Sequence, residues 1–467
     1  MNYKVLNIVL LTGFLLSCSE DFTDLAPVSQ RNVANFYQTG SDLEVAVNAA
    51  YSALQQDGTY NEAYWIMQEM RSDNTDQGPG TTGLARERAV IEDFEEISTS
   101  EIITNAYVDS YLGIARCNTV LDRADPIDMD ATLKERIKGE ARFIRSLLYY
   151  HLAVSFGNIP LILTETQSVA EGSEHVQVSA ETIYNQIVQD LIQAENALPI
   201  SYDGSNLGRA TKGAAATLLA KVYLTLGDNG SAETVLRRII SDYGYSLVPD
   251  YNDLWGVPNE HNVESIFEVE FQGGGFGEGN RFTNDFSPVP ALQTSVGAYR
   301  NRPTRSMLAA YEPGDSRFFA SMDTSYIDDQ GMLLTNTADD VRFVVKYGID
   351  NPFNEGDAPN NFIVFRFADV LLMLAEALGE VQEAYDLINQ VRARAGLSAI
   401  DGSTPGTFQE KLLQERKVEL AFENHRWADI IRFGVVDQIM TAEGKQAKLL
   451  FLIPQRELDL NSNFSQN

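Results

Sequence analysis

Hydrophobic residues recur every three or four positions along much of this chain, a spacing that predicts helices with one apolar face. The clearest stripe predicts a helix that ends near Phe156, because Gly157 can adopt the left-handed backbone conformation common at helix ends and Pro160 prevents continuation. Its apolar face is formed by Ile137, Ala141, Ile144, Leu148 and Leu152. A second helix is predicted at about 180–198.

Two later segments share one internal spacing. A helix ends at a glycine, an alanine follows five residues later, and an aliphatic residue follows four after that: Gly227, Ala232 and Leu236 in one copy, and Gly379, Ala384 and Ile388 in the other. This spacing is typical of tetratricopeptide-like helix pairs, which stack because no pair buries its apolar face alone. With two divergent pairs added, we predict pairs at about 36–121, 135–198, 212–242 and 366–396. The predicted fold is therefore mainly α, with these pairs forming a superhelical scaffold.

Residues 243–345 do not follow the helical spacing. Residues 265–271 alternate between apolar and polar like a short strand, and the glycine run at 273–279 predicts a tightly turning or flexible loop. We predict a loop-rich region with a few short strands and short helices. Long ordered loops on a rigid scaffold usually carry binding sites, so the ligand region is expected here.

The N-terminus has the pattern of a secreted lipoprotein. Lys4 precedes an apolar run at 5–16, which is shorter than the roughly 20 residues that a membrane-spanning helix needs. The run ends in Leu15-Leu16-Ser17-Cys18, which resembles a bacterial lipobox. We therefore predict a signal peptide at 1–17, lipidation of Cys18, and an acidic tether at 18–35 before one domain at 36–467. The alternative is an ordinary secretory signal with a chance cysteine.

Composition narrows the possible partners. The formal net charge of −31 repels nucleic acid and anionic surfaces, so no nucleic-acid partner is expected. Cys117 is the only other cysteine, and it lies in a predicted helix. We expect it to be a small buried thiol, because Cys18 would carry lipid and no disulfide could form.

Five ordered segments resemble recurring stretches of the SusD/RagB family of outer-membrane nutrient-binding lipoproteins. They lie at 140–161, 208–224, 366–397, 415–429 and 453–467. The resemblance implies a helical lipoprotein at the cell outer membrane, surface-exposed, whose tetratricopeptide-like side packs on a SusC-like TonB-dependent transporter. It also implies a loop-rich face that binds an oligosaccharide or polysaccharide, or peptides in the RagB branch, without catalytic machinery or cofactor.

Candidate ligand residues lie in three places. The resemblance implies that Asp73 and Asn74 are near the ligand, although an Asx turn that closes a helix explains them equally well. The loop that follows supplies Arg86 and Arg88, and the later loop region supplies Phe276, Arg281, Tyr299 and Arg300. Trp65, Trp255 and Trp427 fall at positions typical of framework. Two arginine-bearing loops in an acidic chain lead to the hypothesis of an anionic glycan such as a uronate polymer, since arginine pairs with carboxylates. Solvated surface arginines and locally buried aromatics are the alternative.

Other chemistries receive less support. Glu415, Glu419 and Glu423 could suggest a glycosidase pair, but glutamates and arginines along a helix are usually structural. The four histidines are not spaced as paired metal ligands, so we predict neither a metal site nor a cofactor: His151, His175, His261 and His425. Three alternatives to glycan capture remain open: peptide capture, a surface glycoside hydrolase or lyase, and a scaffold without a small ligand.

Overall fold

The computed structural model describes residues 36–78, 82–288, 297–328, 330–348 and 353–467. The predicted signal peptide, Cys18 and the tether lie outside the described residues. Within these ranges, no helix combines the length and the apolar character needed to cross a membrane.

The first part of the chain is helical. Its helices are α1 (Gly40–Tyr51), α2 (Ala63–Trp65), α3 (Gly83–Glu92), α4 (Glu101–Ala124), α5 (Ala131–Phe156), α6 (Val169–Gly172), α7 (Ala180–Ala197), α8 (Lys212–Thr225) and α9 (Asn229–Asp242). Short helical turns of other types, including a π-helical turn at Ile66–Met70, connect some of them.

The second part mixes helices with short strands. Its helices are α10 (Phe282–Phe286), α11 (Arg305–Ala310), α12 (Arg317–Ser321), α13 (Asn336–Asp339), α14 (Phe367–Leu378), α15 (Gln382–Arg394), α16 (Phe408–Glu419), α17 (Arg426–Arg432), α18 (Val436–Ala442) and α19 (Gln455–Leu460). The strands of the whole chain are β1 (Thr75–Asp76), β2 (Ile159–Pro160), β3 (Gln177–Val178), β4 (Ser265–Val269), β5 (Arg302–Pro303), β6 (Met322–Asp323), β7 (Ser325–Ile327), β8 (Leu333–Thr335), β9 (Phe343–Val344) and β10 (Phe362–Arg366).

The scaffold is the predicted stack of helix pairs. Helix α1 packs on α4, and then α4, α5, α7, α8, α9, α14 and α15 each pack on the next. The predicted ends are confirmed: α5 stops before Gly157 with φ at 68°, and Gly227 and Gly379 have φ of 75° and 70°. Since left-handed backbone costs glycine little, these residues end the helices where the apolar stripes end.

The loop-rich region is joined to the scaffold by strands. β4 pairs antiparallel with β10, which runs directly into α14. The ring of Phe267 on β4 contacts Phe143 of α5, with 4.8 Å between centroids. Farther along, β1 pairs with β5 through Thr75 with Pro303 and Asp76 with Arg302. These pairings fix the loops against two different parts of the helical stack.

Helix α16 and the turn after it form the centre of a buried charge network. Arg317 contacts Glu415 at 2.6 Å, Arg366 contacts Glu423 at 2.7 Å, and Arg394 contacts Glu419. Side chains throughout the network are at most 3% exposed: Glu264, Asp315, Arg317, Lys346, Arg366, Arg394, Glu415, Glu419 and Glu423. The structural interpretation of these glutamates is therefore confirmed, and the cations hold the pKa of Glu419 well below its usual range against the effect of burial.

Asp73 extends this network to the N-terminal part of the chain. Its carboxylate accepts hydrogen bonds from Lys417 at 2.6 Å and from Arg426 at 2.7 Å, and its side chain is 5% exposed. Burial alone would raise the pKa of Asp73, but Arg426 and Lys417 outweigh that effect and hold the pKa well below its usual range. Asp73 therefore joins the segment before β1 to α16 and α17.

Replacement of Asp73 by asparagine should lower the free energy of unfolding by about 3–5 kcal/mol at pH 7, because Lys417 and Arg426 would be left buried without their charge partner. A carboxylate with a depressed folded-state pKa contributes stability above its unfolded pKa of about 4, and that contribution is lost as the pH falls towards the folded value. The difference between wild type and D73N, measured by urea denaturation, should therefore shrink below about pH 4.

Asp125→Asn is the matched control, since Asp125 also pairs with a lysine, Lys138, at 2.9 Å but is 74% exposed. Its effect should stay below about 1 kcal/mol. Equal stability losses in D73N and D125N would contradict the role assigned to Asp73.

Candidate functional site

The glycine-rich segment at 272–280, which we call the aromatic loop, is folded against a neighbouring segment. The carboxylate of Asp357 accepts hydrogen bonds from the N–H groups of Gly274 and Gly275 at 3.0 and 2.8 Å. At Gly273 a Cβ would lie 2.4 Å from the carbonyl oxygen of Asp357, so only glycine permits this approach. The loop is tightly turning, as one of the two sequence interpretations expected.

Two phenylalanines present their rings at the aromatic loop. Phe276 is 67% exposed and Phe353 is 39% exposed. Both rings lie beside Gly274, within 3.7 Å of the position that a Cβ would occupy there. Phe319 is the only other exposed phenylalanine within the described ranges. The loop therefore brings two exposed aromatic faces to one place.

Three of the predicted arginines meet around two carboxylates next to this loop. Arg88 contacts Glu62 at 2.5 Å, and Arg300 contacts Asp285 at 2.6 Å. Arg281 lies between the pairs, 3.6 Å from Asp285 and 4.0 Å from Glu62. We call these five residues the arginine cluster.

The arginine cluster has a buried inner part and an exposed outer part. Asp285 and Arg88 are 2% and 1% exposed, whereas the side chains of Arg281 and Arg300 are 31% and 21% exposed. Arg281 directly follows the aromatic loop, and its side chain lies against Gly356, three residues from Phe353. Arg281 therefore connects the segment of Phe353 with the arginine cluster, and we call Phe276, Phe353, Arg281 and Arg300 the candidate binding surface.

The electrostatics of this surface are nearly balanced. Burial raises the pKa of Asp285 to about 6, and Arg300 and Arg281 oppose that rise. The three arginines exceed the two carboxylates of the cluster by one charge, but Asp57 and Glu355 also act on Arg281. With those two included, the carboxylates outnumber the arginines by one. The surface offers fixed N–H groups without an excess of positive charge.

Asp73 and Asn74 lie beneath the loops. Asn74 is 1% exposed, and its side-chain amide donates to Glu69 at 2.8 Å. The backbone carbonyl oxygen of Asn74 accepts a hydrogen bond from the N–H of Thr304. The backbone carbonyl oxygen of Asp73 accepts one from the Thr304 hydroxyl. In this structure the two residues hold the segment after β5 in place, and neither reaches solvent.

Tyr299 and Arg86 also lie outside the candidate binding surface. The hydroxyl of Tyr299 donates to the carbonyl oxygen of Asp340 at 3.1 Å and accepts from the N–H of Arg342 at 3.0 Å. Arg86 is exposed on α3, two residues before Arg88, but it is not among the side chains that contact Glu62 or Asp285. The structure thus brings together Phe276, Arg88, Arg281 and Arg300 from the predicted set.

Sequence reasoning missed three residues of this site. Asp285 lies four residues after Arg281, a helical ion-pair spacing that could have revealed it. Glu62 is 26 residues from Arg88, and Phe353 lies beyond the predicted loop region, so no local pattern connects either of them to the site. Of the tryptophans, Trp65 and Trp427 are buried framework as expected, and Trp255 stacks on Lys346 at 4.2 Å.

The candidate binding surface has the groups that sugar recognition requires. Flat aromatic faces pack against the C–H surfaces of sugar rings, and fixed polar groups pair with hydroxyls. Here two exposed rings lie beside arginines whose positions are held by buried carboxylates.

A separate groove lies on the scaffold. It has a volume of about 610 Å³ and is bordered by α4, residues 160–175 and α19. Its lining is mostly apolar, and three of its residues are strongly exposed: Val169 at 92%, Leu460 at 64% and Leu112 at 52%. No candidate ligand residue lies in this groove, so its shape does not define the binding surface.

Family models match two long parts of the chain. Residues 21–224 match a family described as starch-binding and associating with the outer membrane. Residues 346–449 match the SusD family. The two matches do not overlap, and they agree in naming SusD-like proteins.

Similar proteins extend over nearly the whole chain. SusD-like protein P2 of Formosa agariphila is 27% identical over 100% of this chain and 99% of its own length. A SusD-like protein of Bacteroides ovatus is 26% identical over 92% of this chain and 82% of its own length.

Solved structures show the same fold. A laminarin-binding SusD-like protein matches with a TM-score of 0.82 and 28% identity over 92% of this chain and 99% of its own. Surface glycan-binding protein A of Bacteroides fluxus matches with a TM-score of 0.80 and 25% identity over the same shares. Sequence, fold and family models agree, and the chain belongs to the SusD-like family.

Proposed function

We propose that this protein captures a neutral glycan on the candidate binding surface and releases it unchanged. The observation that carries the proposal is the pair of exposed rings, Phe276 and Phe353, placed beside Arg281 and Arg300. Support also comes from the relative that binds laminarin, a neutral glucan, and shares 28% identity and the fold. Capture is non-covalent, so the protein acts as a binding protein and not as an enzyme.

The charge pairing favours a neutral ligand over the anionic glycan considered from the sequence. Arg88 and Arg300 are already engaged by Glu62 and Asp285 at 2.5 and 2.6 Å. A uronate would compete with these carboxylates for the same guanidinium groups and would be repelled by their negative charge. A sugar hydroxyl can accept from an arginine N–H group that remains after the ion pair is made, since guanidinium has five donors.

We further propose that the protein is lipid-anchored through Cys18 at the outer-membrane surface and hands its glycan to a SusC-like TonB-dependent transporter. The lipobox-like sequence supports the anchor. The family model that names outer-membrane association supports the location. The exposed apolar groove on the scaffold gives a partner a surface to cover, because large apolar patches commonly mark interaction sites.

Phe276→Ala should weaken binding of a neutral polysaccharide by roughly tenfold, because aromatic anchors are often worth more than about 1 kcal/mol at a binding surface. The measurement is affinity electrophoresis of protein that begins at Ser19, in gels that contain laminarin, starch or no polymer. Release of reducing sugar should be absent.

Phe319→Ala is the control, because Phe319 is 72% exposed but lies outside the candidate binding surface. It should migrate as wild type does in every gel. The proposed site would be overturned if neither laminarin nor starch retarded the wild-type protein. It would also be overturned if F276A were retarded as strongly as the wild type.

The salt dependence of binding can test whether the glycan is neutral. Retardation by a neutral polymer should stay the same from about 50 mM to about 500 mM NaCl, because screening weakens charge–charge contacts and leaves stacking intact. Alginate, a uronate polymer, should not retard the protein at either concentration. Retardation by alginate that disappears in high salt would restore the anionic hypothesis.

Cys18→Ala should abolish incorporation of labelled palmitate and release the protein from the outer-membrane fraction, because acylation requires the Cys18 thiol. Cys117→Ala is the control and should remain labelled, since Cys117 is completely buried. Labelling of C18A with palmitate would refute the lipid anchor at Cys18.

A TonB-dependent transporter should co-purify with the wild-type protein from detergent-solubilised membranes. Absence of a TonB-dependent transporter from the purified wild-type sample would refute the proposed partner.

A further inference from the structure

A histidine and two glutamates converge at the strand that leads into the aromatic loop. His261 lies in the turn before β4, Glu268 lies on β4, and Glu270 follows it. One potential ligand atom from each of the three lies within 4.8 Å of the other two. His261 Nε2 is 3.2 Å from a carboxylate oxygen of Glu270.

Neighbouring groups hold this trio in place. The side-chain amide of Asn361 donates to Glu268 and to Glu270, each at 3.0 Å. The N–H of His261 donates to the other oxygen of Glu268 at 2.9 Å. Such hydrogen bonds from surrounding residues are what orients the ligands of metal sites.

The carboxylates at this place, Glu260, Glu268 and Glu270, have no lysine or arginine as an ion-pair partner among the described residues. Glu260 is the third carboxylate, and it accepts from the N–H of Asn361 at 2.8 Å. Glu268 is only 3% exposed, and a buried carboxylate without a counter-charge is costly.

A buried amide nitrogen without a hydrogen-bond partner borders the same cavity as Glu268. Asn360 is 8% exposed, and its amide nitrogen has no hydrogen-bond partner. It lines a small cavity of about 10 Å³ together with Glu260, Lys346 and Glu268, the one member of the trio that borders this cavity. That volume is near the lower limit for one water molecule, whose oxygen could accept from the Asn360 amide.

We propose that His261, Glu268 and Glu270 bind a divalent metal ion, with Zn²⁺ as the best match. Zn²⁺ accepts imidazole nitrogen together with carboxylate oxygen, and water or Glu260 can supply the fourth ligand. Mg²⁺ and Ca²⁺ prefer all-oxygen ligands and fit an imidazole less well. No paired-histidine spacing marks this site in the sequence, because the second and third ligands are glutamates two residues apart on one strand face.

The position of the site gives the ion a structural role. The N–H of Phe271 donates to the side-chain oxygen of Asn361 at 2.8 Å, directly before the aromatic loop begins. An ion bound to His261, Glu268 and Glu270 would fasten the preceding turn to this strand. It would therefore stiffen the base of the loop, whether or not the proposed glycan function holds.

The test is isothermal titration calorimetry of chelator-treated protein that begins at Ser19, with Zn²⁺, Mg²⁺ and Ca²⁺ in separate titrations. This chain keeps the whole hydrophobic core, whose residues lie between Leu43 and Ile453. A single equivalent of Zn²⁺ should bind and raise the melting temperature. Glu270→Gln and His261→Gln should each weaken Zn²⁺ binding by at least about tenfold.

His175→Gln is the control, because His175 lies in a different loop and belongs to no group of three metal-ligating side chains among the described residues. It should bind Zn²⁺ as wild type does. Glu270 is partly exposed, so E270Q is expected to fold even if a change at buried Glu268 does not. No saturable Zn²⁺ binding up to about 1 mM, or equal binding by wild type, H261Q and E270Q, would overturn the proposal. Tighter binding of Ca²⁺ or Mg²⁺ than of Zn²⁺ would also overturn it.

Discussion

The fold depends on the satisfaction of charges that α16 and its following turn carry into the interior. Three glutamates at four-residue spacing, Glu415, Glu419 and Glu423, each meet a guanidinium from a distant segment. Removal of such groups from water is expensive, and only complete pairing offsets the cost. Arg317 comes from the loop-rich region and Arg366 from the junction of β10 and α14, so the pairing fixes both relative to one helix. A chain that misplaced either segment would leave a buried charge without a partner.

This network also determines where the candidate binding surface lies. Asp73 ties the segment before β1 to α16 and α17, and Thr304 is hydrogen-bonded to the backbone of Asp73 and Asn74. The residues just before β5 are thereby placed next to α10, where Arg300 meets Asp285. Asp73 is buried, and it positions the loop that carries Arg300. The contact between Asp73 and its cations therefore belongs to the support of the site.

The sequence predicted the scaffold well because its determinants are local. Apolar stripes, glycines such as Gly157 and Gly379, and the spacing shared by the two later helix pairs can all be recognised within about 30 residues. Local sequence patterns were therefore sufficient to predict the helices of the scaffold and their ends. Phe276, Arg281 and Arg300 were singled out for a similar reason: they stand in the region between helical segments. Arg86 and Arg88 were assigned to a loop as well, but that assignment is wrong, because both lie on α3.

The site's partners could not be predicted in the same way. Arg88 and Glu62 are brought together by tertiary packing, as are Arg300 and Asp285, and neither pair is marked in the sequence. Arginines counted without their carboxylates indicated an anionic ligand, whereas the paired cluster is close to neutral. The same reasoning explains why His261 was passed over, since its neighbours Glu268 and Glu270 are identified as a group only once the turn folds back on β4.

A balanced cluster has a consequence for how strongly the surface can bind. An anionic polymer would compete with Asp285 for Arg300 and would meet the nearby charges of Asp57 and Glu355. A neutral polymer keeps those contacts and gains stacking on Phe276 and Phe353, together with hydrogen bonds to donors already held in position. Since two rings cover only a short section of a polymer, the affinity for one segment should be modest. The proposed anchoring beside a transporter would compensate for this, because a tethered partner raises the effective concentration of the captured chain without any additional contact.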